Sequence, residues 1–386
     1  MKVLGIVMEC NPFHEGHRYL LETARKKTGA DYCVVILSGD YVQRGAPAIT
    51  DKYDRTRILL ENGADLVLEL PLYFACSSAE YFAFGSIRLL EQIGVVTDLA
   101  FGSESGDLEL LRHYGEGLKT ALPEGQKNSN SLSLQRGVSA ASSLSDLGLI
   151  PERGAGNDLL AAHYLKYLPD SITPHAVARI RVPSASECRR VLLSSEQSSR
   201  LLCSQDFSQA LLVRLLESAG HLTDYADVSV DLANKIMRHL PEFTDFDSFT
   251  ALLKSKDLTY TRISRSLLHI LLGIRRKALT EAVSDGHLYY TRVLGLNSTA
   301  GPLISAIRQK LSENPAAPVL LMRPSRDQAF LSEAGRQMLE EEIRACLLYD
   351  FTLKQKLHGS TDPCSIQTFS VRTDYEKPVV IFDPVS

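Results

Sequence analysis

Short apolar runs alternate with helix-spaced stretches through residues 1–120, and that alternation limits the fold more than any other feature. Val3–Val7, Tyr32–Leu37 and Leu66–Leu70 are rich in leucine and β-branched residues and too short for buried helices. Between them, Gly16–Lys27 stops at Thr28-Gly29 and Asp51–Asn62 stops at Gly63. Beyond Pro71, Ala79–Ile93 reads as helix to Gly94, a fourth strand ends near Ala100-Phe101, and Asp107–Lys119 is helical again. Strands joined through helices at this spacing pair in parallel and form an α/β sheet. Ligands of such sheets sit outside the carboxyl ends of the strands. The segments to interrogate are therefore Glu9–His17, Ser38–Gly45 and Gly102–Glu104.

From Pro123 to about Gly156 the composition shifts to serine and glycine, so 121–156 reads as a linker or an insertion. Helix resumes at Asn157–Tyr167, strand at His175–Val182, and Pro183-Ser184-Ala185-Ser186 opens another helix. This places a first domain at 1–195. Ser198–Glu217, Asp231–Leu240 and Asp247–Ser255 are helical in pattern, which predicts a mainly helical second domain over 196–386. Phe369–Ser386 reads as strand pieces.

Charge and cysteine usage narrow the functional classes. Forty-two basic against 46 acidic residues give a net charge of −4, which argues against indiscriminate coating of nucleic acid but allows a local RNA-binding patch. Seven scattered cysteines with no CxxC suggest neither a disulfide framework nor a zinc ribbon, and a reducing cytoplasm fits best. No run approaches the ~18 apolar residues of a membrane span, and Met1–Val7 reads as a strand rather than a signal sequence. Membrane and secreted classes are excluded on this reading, and no protein partner is inferred.

The most informative segment is Asn11-Pro12-Phe13-His14-Glu15-Gly16-His17, directly after the first strand. Proline fixes the turn, glycine permits close approach of a ligand, and two histidines three apart on an opening helical turn can face one ligand. A helix N-terminus suits phosphate, and imidazoles there can donate hydrogen bonds to charge developing on a transferred phosphoryl group. The plainer alternative is a pair of capping or surface histidines. A zincin is disfavoured because HEGH is not HExxH, and neither GxxxxGK[ST] nor GxGxxG follows the first strand. No dedicated metal site is legible.

The strand–NPFHxGH–helix unit resembles the HxGH signature of the nucleotidyltransferase superfamily. More narrowly, VMECNPFHEGH, LSGDYVQRGAPAITDKYDRT, GADLVLELP, FGSE and TRISRSLLHILLGI, in this order, resemble the bacterial tRNA(Met) cytidine acetate ligases. The resemblance implies a Rossmann-like α/β domain with a mainly parallel sheet, followed by a mainly helical domain. It implies an ATP-dependent ligase that activates acetate as acetyl-adenylate, releases pyrophosphate, and acetylates N4 of the wobble cytidine in elongator methionine tRNA.

By the same resemblance ATP is lined by Val7, Met8, Glu9, Cys10, Asn11, Pro12, Phe13, His14, Glu15, Gly16, His17, Arg18, Tyr19 and Leu20, with His14 and His17 catalytic on the phosphates. Gly102, Asn157, Arg179 and Ile180 match further nucleotide contacts. Locally, Asn157 reads equally well as a plain N-cap, and Arg181 competes with Arg179. Ser184-Ala185-Ser186-Glu187-Cys188-Arg189 resembles the second phosphate-binding signature, so Ser184, Ser186 and Arg189 join the site, with Arg190 competing for the arginine's role. Magnesium is expected with the triphosphate, held largely by phosphate and water. Cys10 stands where the family leads one to expect tyrosine, and Asp231–Ile236 diverges from the expected helical block.

A tRNA contact rests on the basic stretch Lys254–Lys277, with Arg262, Arg265 and Arg275 as its candidates. Arg262, Arg265 and His269 share a helix face distinct from the apolar stripe, although a charge run is usually just solvated. Two other functions stay open at this point: an adenylyltransferase acting on a phosphorylated small metabolite, and a non-catalytic RNA-binding protein with a vestigial nucleotide site.

Overall fold

The computed structural model describes residues 1–120, 156–256, 258–359 and 373–383. The segment 121–155, and with it nearly all of the expected insertion, lies outside the described residues, as do 369–372 and 384–386 of the expected C-terminal strand pieces.

The first half follows the βαβ reading closely: β1 (Val3–Met8), α1 (Glu15–Thr28), β2 (Tyr32–Ser38), β3 (Tyr41–Val42), β4 (Ala46–Pro47), α2 (Lys52–Glu61), β5 (Leu66–Leu70), α3 (Leu72–Ala75), α4 (Ala79–Gln92), β6 (Asp98–Ser103) and α5 (Leu108–Thr120). Then come α6 (Gly156–Tyr167), β7 (Thr173–Ala178) and α7 (Ala185–Leu193). Helices α8 (Ser208–Glu217), α9 (Val230–His239), α10 (Phe246–Leu252), α11 (Tyr260–Leu272) and α12 (Arg276–Ser284) form the helical region. The chain continues through β8 (Tyr290–Asn297), α13 (Gly301–Glu313), β9 (Val319–Leu321), α14 (Pro324–Asp327), α15 (Glu333–Gly359) and β10 (Val380–Phe382).

The sheet order is β10-β8-β5-β2-β1-β6-β7, with β9 also on β8. β1 pairs in parallel with β2 and β6, β2 with β5, and β6 with β7. The central strands are covered on both faces, which is why Val3, Leu4, Ile6 and Val34–Leu37 are all fully or almost fully buried.

Three expectations need revision. The sheet does not end with the first domain: β8 lies antiparallel on β5, and β9 and β10 pair in parallel with β8. Residues beyond 195 thus complete a sheet begun at residue 3, so the line at 195 separates sequence blocks but not the core. The strand expected at His175–Val182 stops at Ala178, and Arg179–Val182 connect to α7. Likewise Ser198–Glu217 is not one helix, since 3-10 turns at Glu196–Arg200 and Ser204–Phe207 precede α8.

Candidate functional site

The HxGH turn sits at the carboxyl end of β1, between β2 and β6, where the sheet's connections diverge to either side. Cys10 has φ of 49°, the Asn11-Pro12 bond is cis, and a turn at these two residues precedes α1. Arg55, fully buried, knits this rim together by donating to the carbonyls of Glu9 (2.7 Å), Ser38 (2.9 Å) and Gly39. Asn11 accepts from the Ile49 amide at 2.9 Å and ties the turn to the loop after β4.

His14 is the N-cap of α1. Its Nδ1 accepts from the Gly16 amide at 3.0 Å, while Nδ1 of His17 accepts from the His14 amide at 3.2 Å. An Nδ1 that accepts has no proton, so each neutral ring carries its hydrogen on Nε2, the atom left to donate to a ligand. The rings stack with centroids 4.0 Å apart. Desolvation, then Arg179, holds the His14 pKa below the ordinary histidine value. Desolvation, His14 and Arg179 push His17 down to about 3. Both are neutral donors at working pH. Gly16 is required by this stack, because a Cβ there would lie 2.8 Å from Cε1 of His14.

The capping reading of the histidines is realised through Nδ1, which leaves Nε2 of each ring as the atom that could face a ligand. Val7 and Met8 end β1, while Glu15, Arg18 and Tyr19 face outward from the start of α1. Met8 is buried, and Phe13 and Leu20 rest against the apolar core, so these three offer a ligand chiefly their backbone.

A second group lies at the ends of β6 and β7. Glu104 accepts from Nδ2 of Asn157 (2.7 Å) and from the Asp158 amide (2.9 Å), and receives Nη1 of Arg179 at 3.0 Å. Asn157 lies within the first turn of α6, and Glu104 performs the capping from outside. Gly102 has open space, with only Cγ of Arg179 within reach of a Cβ, at 3.9 Å. Ile180, just beyond Arg179, is 36% exposed, half-way out of the core. Glu104 was within reach of sequence reasoning as the last residue of FGSE; Asp158, which accepts from Ser103 Oγ (2.5 Å) and the Glu104 amide (2.8 Å), carried no such signal.

Helix α7 brings the third group. Ser184 and Glu187 form a capping box, with Ser184 Oγ accepting from the Glu187 amide at 3.2 Å. Of the two adjacent arginines, Arg189 turns in: it donates to the Asn11 carbonyl and, at 2.9 Å, to Oγ of Ser186, whereas Arg190 is exposed. The HxGH turn and the serine-rich helix start are thus in direct contact.

The basic stretch behaves differently from its sequence pattern. Arg265 pairs with Asp227 at 2.5 Å, and His269 is fully buried between the Ala226 and Cys76 carbonyls at 3.1 and 2.9 Å. Burial would raise the Asp227 pKa, but Arg265 and His269 hold it at about 2. Arg275 lies over the Tyr225 ring at 4.1 Å. Arg262 alone of the three candidates forms no ion pair among the described residues, though it is half-buried. The face containing Arg265 and His269 is an internal face. A helical-wheel reading missed this because Asp227 approaches from a distant loop.

Asp40, Cys346 and Asp374 bring their ligand atoms together in the interior, a grouping that could hold a cation. A cation of the chain is already there: Nζ of Lys52 lies 2.5 Å from Asp374, 2.7 Å from Glu69, 3.1 Å from Cys346 Sγ and 3.7 Å from Asp40.

Residues 1–195 and 182–362 match the family model of the HIGH nucleotidyl transferases. A tRNA(Met) cytidine acetate ligase of Clostridium perfringens is 31% identical, covering 91% of this chain and 95% of its own. One from Thermoanaerobacter pseudethanolicus is 34% identical over 94% and 98% respectively. The chain belongs to the tRNA(Met) cytidine acetate ligase family. Its structure superposes on that of Thermotoga maritima TmcAL bound with alpha-thio ATP, with a TM-score of 0.84, 26% identity and full coverage of both chains. The Rossmann-like, mainly parallel sheet with a following helical region is the architecture of this family member. In this ligase-family chain the cysteine at position 10 is fully buried, and desolvation pushes its thiol up to about 12, so it is a core side chain and not a nucleophile. Among the described residues no helix is long and apolar enough to cross a membrane.

Proposed function

We propose that the chain joins acetate to tRNA at the expense of ATP, giving AMP and pyrophosphate. The observation that carries the reading is the convergence of His14, His17 and Arg189 on one turn at the carboxyl end of β1. In the first step a carboxylate oxygen of acetate attacks the α-phosphorus of ATP, and the bond to the bridging oxygen breaks to release pyrophosphate. The two Nε2–H groups donate to oxygens of the phosphate chain, and Arg189 offsets charge on the leaving group. Gly102, Asn157, Arg179 and Ile180 bind the nucleoside side; Glu104 positions Asn157 and Arg179. Ser184 and Ser186 present the first turn of α7 to the outer phosphates.

In the second step N4 of the wobble cytidine of elongator tRNA(Met) attacks the acetyl carbonyl carbon, and the carbon–oxygen bond to AMP breaks. Magnesium, arriving with ATP, would neutralise triphosphate charge. The site suits an ion carried by phosphate and water, since among the described residues no cluster of carboxylates lines the HxGH turn. Residues 1–195 supply the nucleotide-handling part; the region beyond 195 supplies tRNA contacts, with Arg262 and Arg275 as outer candidates and Arg265 holding α11 in place through Asp227. The setting is cytoplasmic.

Acetate-dependent exchange of labelled pyrophosphate into ATP, with magnesium and without tRNA, tests the first step. Adding tRNA(Met) and analysing for N4-acetylcytidine tests the second. Absence of exchange with acetate, with and without tRNA, would sink the reading.

A further inference from the structure

The hairpin between β2 and α2 carries a feature that the proposed mechanism does not use. Its strands β3 and β4 are joined by Gln43-Arg44-Gly45, at the same rim as the HxGH turn. The backbone of this tip is fastened at Gln43, Gly45 and Ala48. The Gln43 amide donates to Oε1 of Glu9 at 2.7 Å, and Oγ of Ser264 on α11 donates to the Gly45 carbonyl at 2.8 Å. Gly45 has φ of 77°, and a Cβ there would lie 2.2 Å from the Arg265 amide nitrogen, so only glycine lets the tip sit down on α11. The Ala48 carbonyl accepts from the Tyr349 hydroxyl at 2.7 Å, and the Ala48 amide donates to the Asp40 carbonyl at 2.8 Å.

The unfastened part is the Arg44 side chain. It is exposed and, among the described residues, has no hydrogen bond or ion pair. Its neighbours are the groups of the nucleotide site. Glu9 is bonded to the residue before it, and Arg189 lies close enough for the two guanidinium charges to repel. Arg189 loses basicity first through desolvation and then through Arg44, with Glu9 partly compensating. Besides the fully buried Arg55, which is spent on backbone carbonyls, two cations stand at this rim beside the Glu9 carboxylate, whose Oε1 is already occupied. A small monoanion would need only one of them and an enclosed pocket, which an exposed arginine does not make. A polyanion would be held by both.

We propose that Arg44 is a second phosphate-binding arginine of the adenylation step, gripping the β- and γ-phosphates of ATP opposite Arg189. This rests on the reading of the site as one that adenylates a carboxylate. It also gives α11 a purpose distinct from RNA contact: its Ser264–Arg265 backbone is the seat that fixes the hairpin. Arg44 supplies planar, multidentate donors, so lysine is a partial replacement at best.

The test uses the full chain as wild type, R44A and R44K, in acetate-dependent ATP–pyrophosphate exchange without tRNA, with AMP as a competitive inhibitor. Expected for R44A is a rise of about ten- to one-hundredfold in the KM for ATP and for pyrophosphate, the range for one charge-assisted hydrogen bond. The AMP inhibition constant stays within about twofold, because AMP lacks the outer phosphates, and R44K falls between. A parallel loss of AMP binding would assign the effect to a disturbed hairpin and overturn the proposal. So would a rise confined to the KM for acetate, or unchanged exchange with loss of acetyl transfer to tRNA, which would place Arg44 on the carboxylate or on the RNA. If wild type itself shows no exchange, it is the ligase reading that fails.

Discussion

Replacing Lys52 with methionine probes the interior charge cluster while keeping most of the stem volume. Lys52 is fully buried, and although desolvation opposes its charge, Asp374 and the other surrounding carboxylates keep it protonated. Removing it leaves Asp374 its bond with Arg292 at 2.5 Å, so the loss falls on Glu69 and Asp40. Orphaning one side of a buried ion cluster costs about 3–5 kcal/mol. The cost depends on pH. Burial already raises the Glu69 pKa, and Lys52 and Arg292 oppose that rise. Without the lysine the folded-state pKa climbs further above the unfolded value, so the folded state binds the extra proton and its stability falls as pH rises above the ordinary glutamate value. Denaturant unfolding of K52M against wild type should show the full loss at pH 8 and a smaller loss at pH 5.5. K52M/E69Q, which removes the orphaned carboxylate, should recover at least 1 kcal/mol at pH 8. A loss below about 1 kcal/mol, or one equal at the two pH values, would refute the assignment of Lys52 as the cluster's counter-ion.

Alanine at His14 or His17 should lower acetate-dependent exchange about 10²–10³-fold while ATP binding measured by calorimetry changes much less; equal losses would mean ground-state binding instead. Because both pKa values lie below the ordinary histidine range, with His17 at about 3, the exchange rate should show no histidine inflection between pH 6 and 8. An inflection there that disappears in H17A would contradict the neutral-donor assignment. Gly102→Ala, with nothing nearer than 3.9 Å to its new methyl, should melt like wild type yet raise the KM for ATP; a lowered melting temperature would make the glycine structural. Gly45→Ala should do the reverse of a silent change, lowering stability by at least 1–3 kcal/mol for the positive φ alone, read by thermal melting.

The central strands and the HxGH turn were legible in the sequence because their determinants are local. Leu66–Leu70 declares itself by composition and by Pro71, and HxGH by the spacing of His14, Gly16 and His17. β8 was not legible. YTRVLGLN has strand composition, but its partners are Leu66–Glu69, more than two hundred residues earlier, and no local period reports such a pairing. The same holds for Arg265, whose charge looks free until Asp227 is folded beside it, and for Lys52, whose partners Glu69 and Asp374 come from opposite ends of the chain. Arg189 and Arg190 could be told apart only when the carbonyl of Asn11 was placed.

The late return of β8 and β10 to the sheet has a consequence for synthesis on the ribosome. β5 is translated early, yet its outer edge waits for β8, and Lys52 waits for Asp374. At roughly 5–20 residues per second, the interval from Leu70 to Asn297 is on the order of 11–45 s. Until β8 is made the nascent chain displays an unpaired edge of the sequence LVLEL, and until Asp374 is made Lys52 has only Glu69 and Asp40 for partners. Strands β1 to β6 therefore emerge long before their sheet edge is closed, and a transcript cut short before codon 290 would yield a chain with every HxGH residue present and the LVLEL edge still open.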